Sequence, residues 1–280
     1  LNHMTMEWER HMLDVLDRAQ KAVGDRKLVA VNLRRGTEAD QGVDPRVSVV
    51  NHINASPAAV AAHSAAKRAV GMGEVHRELM SDPFARMRAW EFVLAGAGLY
   101  AHIDNSFGVS RPRGEGHAPP TALSGGGPTQ RRHLRLLTEF MSTTDYVNMR
   151  PAPELLAQPF PDGLQGRILA RPGESYIVYV RIPSPDLQKA RMTEPDGKTI
   201  TFDKTILSSL VPPPVERRLT VHLDVTPGRY RIEWITPATG EVARAQPVEH
   251  TGGTLSLETP VFSEDIAVRL LRDRSVMTPR

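Results

Sequence analysis

Apolar residues recur along the first 150 positions in two alternating rhythms. Trp8, Met12, Val15, Leu16, Ala19 and Val23 fall at helical spacing. Thr5, a type that caps helix starts, precedes them and Gly24, a type that ends helices, follows, so Met6–Val23 reads as an amphipathic helix. Short apolar runs come next at 27–32, 47–52, 69–74 and 99–104, each closing on a polar or charged group. Helical patterns separate or follow them at 57–68, 83–94 and 129–141. Pro57 sits in a first helical turn after Ser56, and a Gly/Pro-rich loop covers 108–128. Helix and strand alternating at this spacing predict a parallel sheet.

The rhythm then changes. Pro151, Pro153, Pro159 and Pro161 crowd a stretch of linker composition. Beyond it, runs rich in Val, Ile and Tyr occupy 167–170, 175–182, 198–202, 219–225, 229–235, 240–248, 253–257 and 265–271. Turn formers such as Arg171-Pro172-Gly173, Pro195-Asp196-Gly197, Thr226-Pro227-Gly228 and Ala238-Thr239-Gly240 punctuate them. Short strands at this spacing predict an antiparallel β-sandwich. The expected organisation is an α/β domain over 1–150, a linker over 151–163 and an all-β domain over 164–280.

Composition narrows the function classes. The chain has 280 residues, 40% hydrophobic and 24% charged, with a formal charge of +3 and dispersed Lys and Arg. Basic patches interleaved with aromatics, which nucleic-acid binding would use, are not seen. Cys is absent, which excludes disulfides and thiol chemistry. No apolar stretch approaches the roughly 20 residues that span a bilayer. Leu1-Asn2-His3-Met4 does not open a signal-peptide pattern.

Chemistry concentrates where strands end. In (β/α)₈ enzymes the βα loops at the C-terminal ends of strands carry the catalytic groups. Glu74 ends one run and is the candidate catalytic carboxylate, with a plain salt bridge as the structural alternative. Asp104 ends another and could contact a substrate, or else close a local turn over Asp104-Asn105-Ser106. Asn51 and His52 end a third, and alternation places one of them toward a pocket. Asn32 ends the first. Tyr100 and Phe107 are candidate stacking rings, whereas Trp90 and Phe92 fit a helix core. Glu74, His76 and Glu78 do not extend into a ligand set of recognisable spacing, so neither metal nor cofactor is expected. Gly125-Gly126-Gly127 lacks the Lys-Ser/Thr of a phosphate loop.

Asn51, Gly73-Glu74, the stretch 88–100, Asp104-Asn105-Ser106-Phe107 and Gly125-Gly126-Gly127-Pro128 together resemble the bacterial apiosidase-like glycoside hydrolases. These are TIM-barrel enzymes with a C-terminal β-sandwich, often called the collagen-binding domain of a collagenase. Segments 227–234 and 262–267 look like that sandwich. The resemblance implies a retaining glycosidase with Glu74 as nucleophile, a carbohydrate substrate and a secreted or periplasmic setting. The family often continues this Glu with Thr-Gly-Phe, whereas Val75-His76-Arg77 stands here. Aligned in this way, the four strands are the fifth to eighth of a (β/α)₈ barrel, so the chain is expected to be its C-terminal half followed by a β-sandwich. The acid/base after the fourth strand would come from an upstream segment or another chain, with a homodimer as the other way to cover the open edges. A non-catalytic carbohydrate- or collagen-binding module, or an inactive truncated homologue, is the alternative.

Overall fold

The computed structural model describes residues 6–33, 43–53, 57–65, 68–74, 82–101, 103–116, 126–183, 191–193, 200–202 and 214–274. In the first half, β1 (Ala30–Asn32), β2 (Val49–Ile53), β3 (Ala69–Glu74) and β4 (Leu99–Tyr100) form one parallel sheet in chain order. Helices α1 (Met6–Val23), α2 (Pro57–Ala65), α3 (Asp82–Leu94) and α4 (Pro128–Ser142) alternate with the strands as the pattern predicts.

Alternation along the strands gives the sheet two unlike faces. Val50, His52, Val70 and Met72 are buried in a core shared with Leu13, Ala59, Val60, Phe92 and Ala95. On the opposite face Ala30, Asn32, Ala69 and Leu99 are exposed, and Val49 and Asn51 are half-buried. Parallel sheets are ordinarily covered on both faces. Here, among the described residues, helices cover one.

Helix α1 departs from expectation. Leu13 is buried, but Trp8, Met12, Val15 and Leu16, the apolar side read from the sequence, are 48%, 38%, 36% and 41% exposed. The amphipathic pattern is real, yet the helix turns most of its apolar side to solvent.

The second half is antiparallel. Strands β5 (Arg150–Pro151), β6 (Gln165–Arg171), β7 (Ser175–Arg181), β8 (Arg191–Thr193), β9 (Ile200–Phe202), β10 (Thr220–Asp224), β11 (Gly228–Ile235), β12 (Val242–His250), β13 (Thr254–Glu258) and β14 (Asp265–Arg272) follow in order. Six of them form a sheet ordered β12-β11-β14-β7-β6-β5, while β10 pairs with β13 and β8 with β9. One face of the large sheet, with Tyr176, Val178, Tyr230, Ile232, Trp234 and Leu270, shares a core with Val221, Leu223 and Leu257 of the β10–β13 pair. Pro247 lies within β12, the outermost strand, where a missing N–H is tolerated.

The Pro-rich stretch is not a free linker. Its first residues are β5, hydrogen-bonded to β6, and the fully buried Ala152 donates its N–H to the Ile168 carbonyl at 3.0 Å. Leu155, Leu156 and Phe160 then pack on the core of the large sheet. The prolines suit an edge strand and its turns, so a linker-like composition here builds the rim of a sheet.

The second face of the large sheet welds the two halves together. Leu169, Ile177, Tyr179, Ile235 and Ala267 pack on Ala89, Trp90, Leu94, Leu137, Phe140 and Met141 of α3 and α4. Trp90, expected in a helix core, stacks on Tyr179 at 5.3 Å between ring centroids and tilts against Phe140 at 4.8 Å. Charges seal the rim of this seam. Buried Arg86 of α3 donates to both carboxylate oxygens of Asp265, at 3.0 and 2.8 Å, and to Glu264 at 2.8 Å. The Tyr179 hydroxyl donates to the same Asp265 at 2.9 Å, and Glu91 accepts from Arg167 and Arg181. The antiparallel half thus sits against α3 and α4.

Candidate active site

Register places four residues in one row across the uncovered face. Asn32 pairs with Asn51, Asn51 with Gly71, and Gly71 with Leu99. A side chain at Gly71 would collide with Asn51 Oδ1, so this glycine leaves room for the Asn51 carboxamide to lie across β3. Asn51 Oδ1 is buried there without a hydrogen-bond donor. Such an acceptor is costly unless a partner reaches it.

His52, read as an alternative to Asn51, belongs to the other face. It is 6% exposed, its ring centroid lies 5.0 Å from that of His63 in α2, and burial, aided by His63, lowers its pKa. Alternation decides between neighbours, and it turns Asn51 to the uncovered face and His52 into the helix-side core.

Glu74 ends β3. His52 pairs with Met72 but Ile53 pairs with Glu74, so a bulge leaves Gly73 over. Position 74 therefore shares the register of Ile53. The Glu74 side chain lies outside the described residues, as do His76 and Glu78.

Asp104 forms the local turn that was the alternative to sugar contact. Its Oδ1 accepts from the Ser106 N–H at 2.9 Å and the Ser106 hydroxyl at 2.6 Å, while Oδ2 is paired with Arg131. Burial pushes the Asp104 pKa up, but the hydrogen bonds from Ser106 and Arg131 outweigh it and hold the group below its ordinary value. With both oxygens engaged, Asp104 is an anchor for its loop. Arg131 is the hub. Its guanidinium also reaches the Gly114 carbonyl at 2.7 Å and lies 5.1 Å from the Phe107 ring centroid.

Phe107 remains 51% exposed, with the ring held between Arg131 and Gly114. A side chain at Gly114, whose φ is +62°, would meet that ring at 2.7 Å. Tyr100 is not a stacking ring. It packs on Phe92 at 6.0 Å, and its hydroxyl points to the Ala85 carbonyl at 3.5 Å. As an even-numbered neighbour of Leu99 it takes the helix side of the strand.

Sequence reasoning missed Arg131 and the glycine of the Asn32–Asn51–Gly71 row. The alternation Gly71-Met72-Gly73 was the available signal for the latter, since two glycines spaced by two leave one face of a strand bare. Arg131 carries none beyond its place in the first turn of α4.

The same architecture occurs in solved structures. One is a glycoside hydrolase, aligned over 93% of this chain with a TM-score of 0.59 and 13% identity. Another is a glycoside hydrolase family 5 protein from Bacteroides vulgatus, aligned over 92% with a TM-score of 0.56 and 10% identity. The fold is that of glycoside hydrolases. This chain spans 61% and 58% of the length of those two proteins. No protein-family model and no curated protein matches it. Among the described residues no group of three or more His, Asp or Glu is set to hold a metal, and no helix is long and apolar enough to cross a membrane.

Proposed function

We propose that this chain is part of a retaining glycoside hydrolase of the apiosidase-like kind, with Glu74 as the nucleophile. In this reading its parallel sheet is the fifth to eighth strands of a (β/α)₈ barrel, and its antiparallel half is a β-sandwich bracing the outer helices. The observation that carries the proposal is the one-sided parallel sheet. Its uncovered face bears Ala30, Val49, Ala69 and Leu99 with the amides of Asn32 and Asn51, standing in rows across the strands as the side-chain layers of a barrel interior do. The likeness to glycoside hydrolases supports the same reading. So does α1, whose exposed Trp8, Met12 and Leu16 offer an apolar side to further βα units.

Retention needs two carboxyl groups about 5–5.5 Å apart. The Glu74 carboxylate attacks the anomeric carbon as the glycosidic bond breaks, and an acid delivers its proton to the leaving oxygen. Water then hydrolyses the glycosyl–enzyme bond, giving its proton back to that second group. The acid/base is supplied by the βα units that close the barrel, from a preceding segment or another chain. Asn51 and Asn32 offer amide donors and acceptors to sugar hydroxyls, and Phe107 a half-exposed ring at the loop after β4.

The test is hydrolysis of aryl and plant-type glycosides by this chain with and without the closing βα units. Glu74→Gln should abolish turnover of the closed protein. Glu74→Ala should regain it with azide, yielding a glycosyl azide of inverted configuration. Full activity of Glu74→Gln would end the assignment.

A further inference from the structure

Helix α4 leaves part of the large sheet's second face uncovered, and a cleft of about 450 Å³ lies there over β12, β11 and β14. Its apolar lining is Ala245, Pro247 and Leu271. Arg231, Arg272 and Arg274 stand around it. We propose that this cleft binds an acidic saccharide, its guanidiniums taking uronate carboxylates while the apolar lining meets the C–H face of a sugar ring.

The charge arrangement favours an anion. Arg229, Arg231, Arg269, Arg272 and Arg274 gather about four carboxylates, Glu233, Asp273, Glu174 and Glu249, the last directly opposite Arg229 in the strand register. Glu233 is shared between Arg231 and Arg269, so neither guanidinium is neutralised by a carboxylate of its own. Asp273, the one carboxylate lining the cleft, lies 4.0 Å from Arg229. Arg272 pairs with Tyr230 in the strand register and turns its guanidinium to the Gly173 carbonyl at 2.7 Å, so Arg231 and Arg274 are the guanidiniums left to a ligand. Arg231 and Arg274 keep side chains 68% and 71% exposed, and each touches one edge of one carboxylate, leaving other N–H groups for a ligand. A guanidinium fork matches a carboxylate geometrically, which a neutral sugar cannot exploit.

The lining also discriminates among anions. Among the described residues no aromatic ring lines the cleft, so bases have nothing there to stack on and single-stranded nucleic acid is disfavoured. Proline and aliphatic carbon beside the guanidiniums offer contact to the C–H face of a pyranose. The site is independent of Glu74 and of barrel closure, so it stands or falls apart from the hydrolase reading.

The experiment is affinity electrophoresis and titration calorimetry of the full 280-residue chain. The probes are polygalacturonate, its fully methyl-esterified form and polyglutamate. Binding to polygalacturonate alone is expected, weakening with added salt. Arg231→Ala and Arg274→Ala should each weaken it about tenfold, equivalent to about 1.4 kcal/mol. Arg231→Lys should retain part of it, and unchanged melting temperatures would show that the fold is intact. Equal binding to polyglutamate or to the esterified polymer would overturn the proposal. So would failure to bind polygalacturonate, or binding that survives both alanine substitutions.

Discussion

At the scale of single residues, environment decided roles that residue type left open. Alternation could say that Asn51 and His52 face opposite ways, but not which of them faces the helices. That choice depends on where α2 packs. The partners of Asp104 and Tyr100 were hidden for a related reason, because Arg131 and Ala85 lie 27 and 15 residues away. The Asn51–Gly71 contact gives a sharp test. Gly71→Ala should destabilise the protein by about 1–3 kcal/mol through overpacking. Asn51→Ala in the same background should recover most of the loss, and urea unfolding showing additive effects would exclude this coupling. Tyr146 offers a second test. Its hydroxyl donates toward the Ala97 carbonyl at 2.6 Å, with the Val93 carbonyl 2.9 Å away, closing the end of α3. Burial raises its pKa to about 12. A raised folded-state value means that its contribution is complete below the ordinary tyrosine pKa and is lost as pH rises toward about 12. Tyr146→Phe should therefore cost about 1 kcal/mol at neutral pH. It should also flatten the fall in the urea midpoint above pH ~10, with Tyr179, also raised by burial, supplying the remaining slope.

Among elements, the helices and most strands could be read directly, since apolar periods of 3.6 and 2 are local properties. Strand β5 and the bulge at Gly73 could not, because each is defined by a partner strand. The same limit hid the seam between α3 and the large sheet. Nothing in residues 262–267 announces that Asp265 will meet an arginine 179 positions earlier. Arg86→Met alone strands a buried carboxylate and should cost about 3–5 kcal/mol. Arg86→Met combined with Asp265→Leu should regain part of that loss, since an apolar pair can replace a buried ion pair, but should stay about 1–3 kcal/mol below the parent because the Tyr179 hydroxyl loses its acceptor. A double variant no more stable than Arg86→Met alone, measured by thermal unfolding, would contradict that account.

For the whole molecule, two halves of different class share one apolar seam, and they should unfold together. Calorimetry is expected to show a single transition, as the core of Trp90, Tyr179 and Phe140 cannot open on one side only. Two resolved transitions would mean that the seam contributes little. The sequence change near residue 150 marks a change of strand pairing, from parallel to antiparallel, and not a mechanical joint. Composition is silent on that difference because proline serves edges and linkers alike.

Pro247 has a bearing on how copies of this chain meet. An outermost strand is a template for a neighbour's strand, and a proline without an N–H spoils the template at its middle. Strand β12 is guarded in this way. In the parallel sheet, β1 is three residues long and carries no proline, and α1 exposes Trp8, Met12, Val15 and Leu16. Crowding in solution will therefore act unequally on the two sheets. Sticking, whether native assembly or the first step of precipitation, is directed to β1 and α1, and solubilising substitutions belong there.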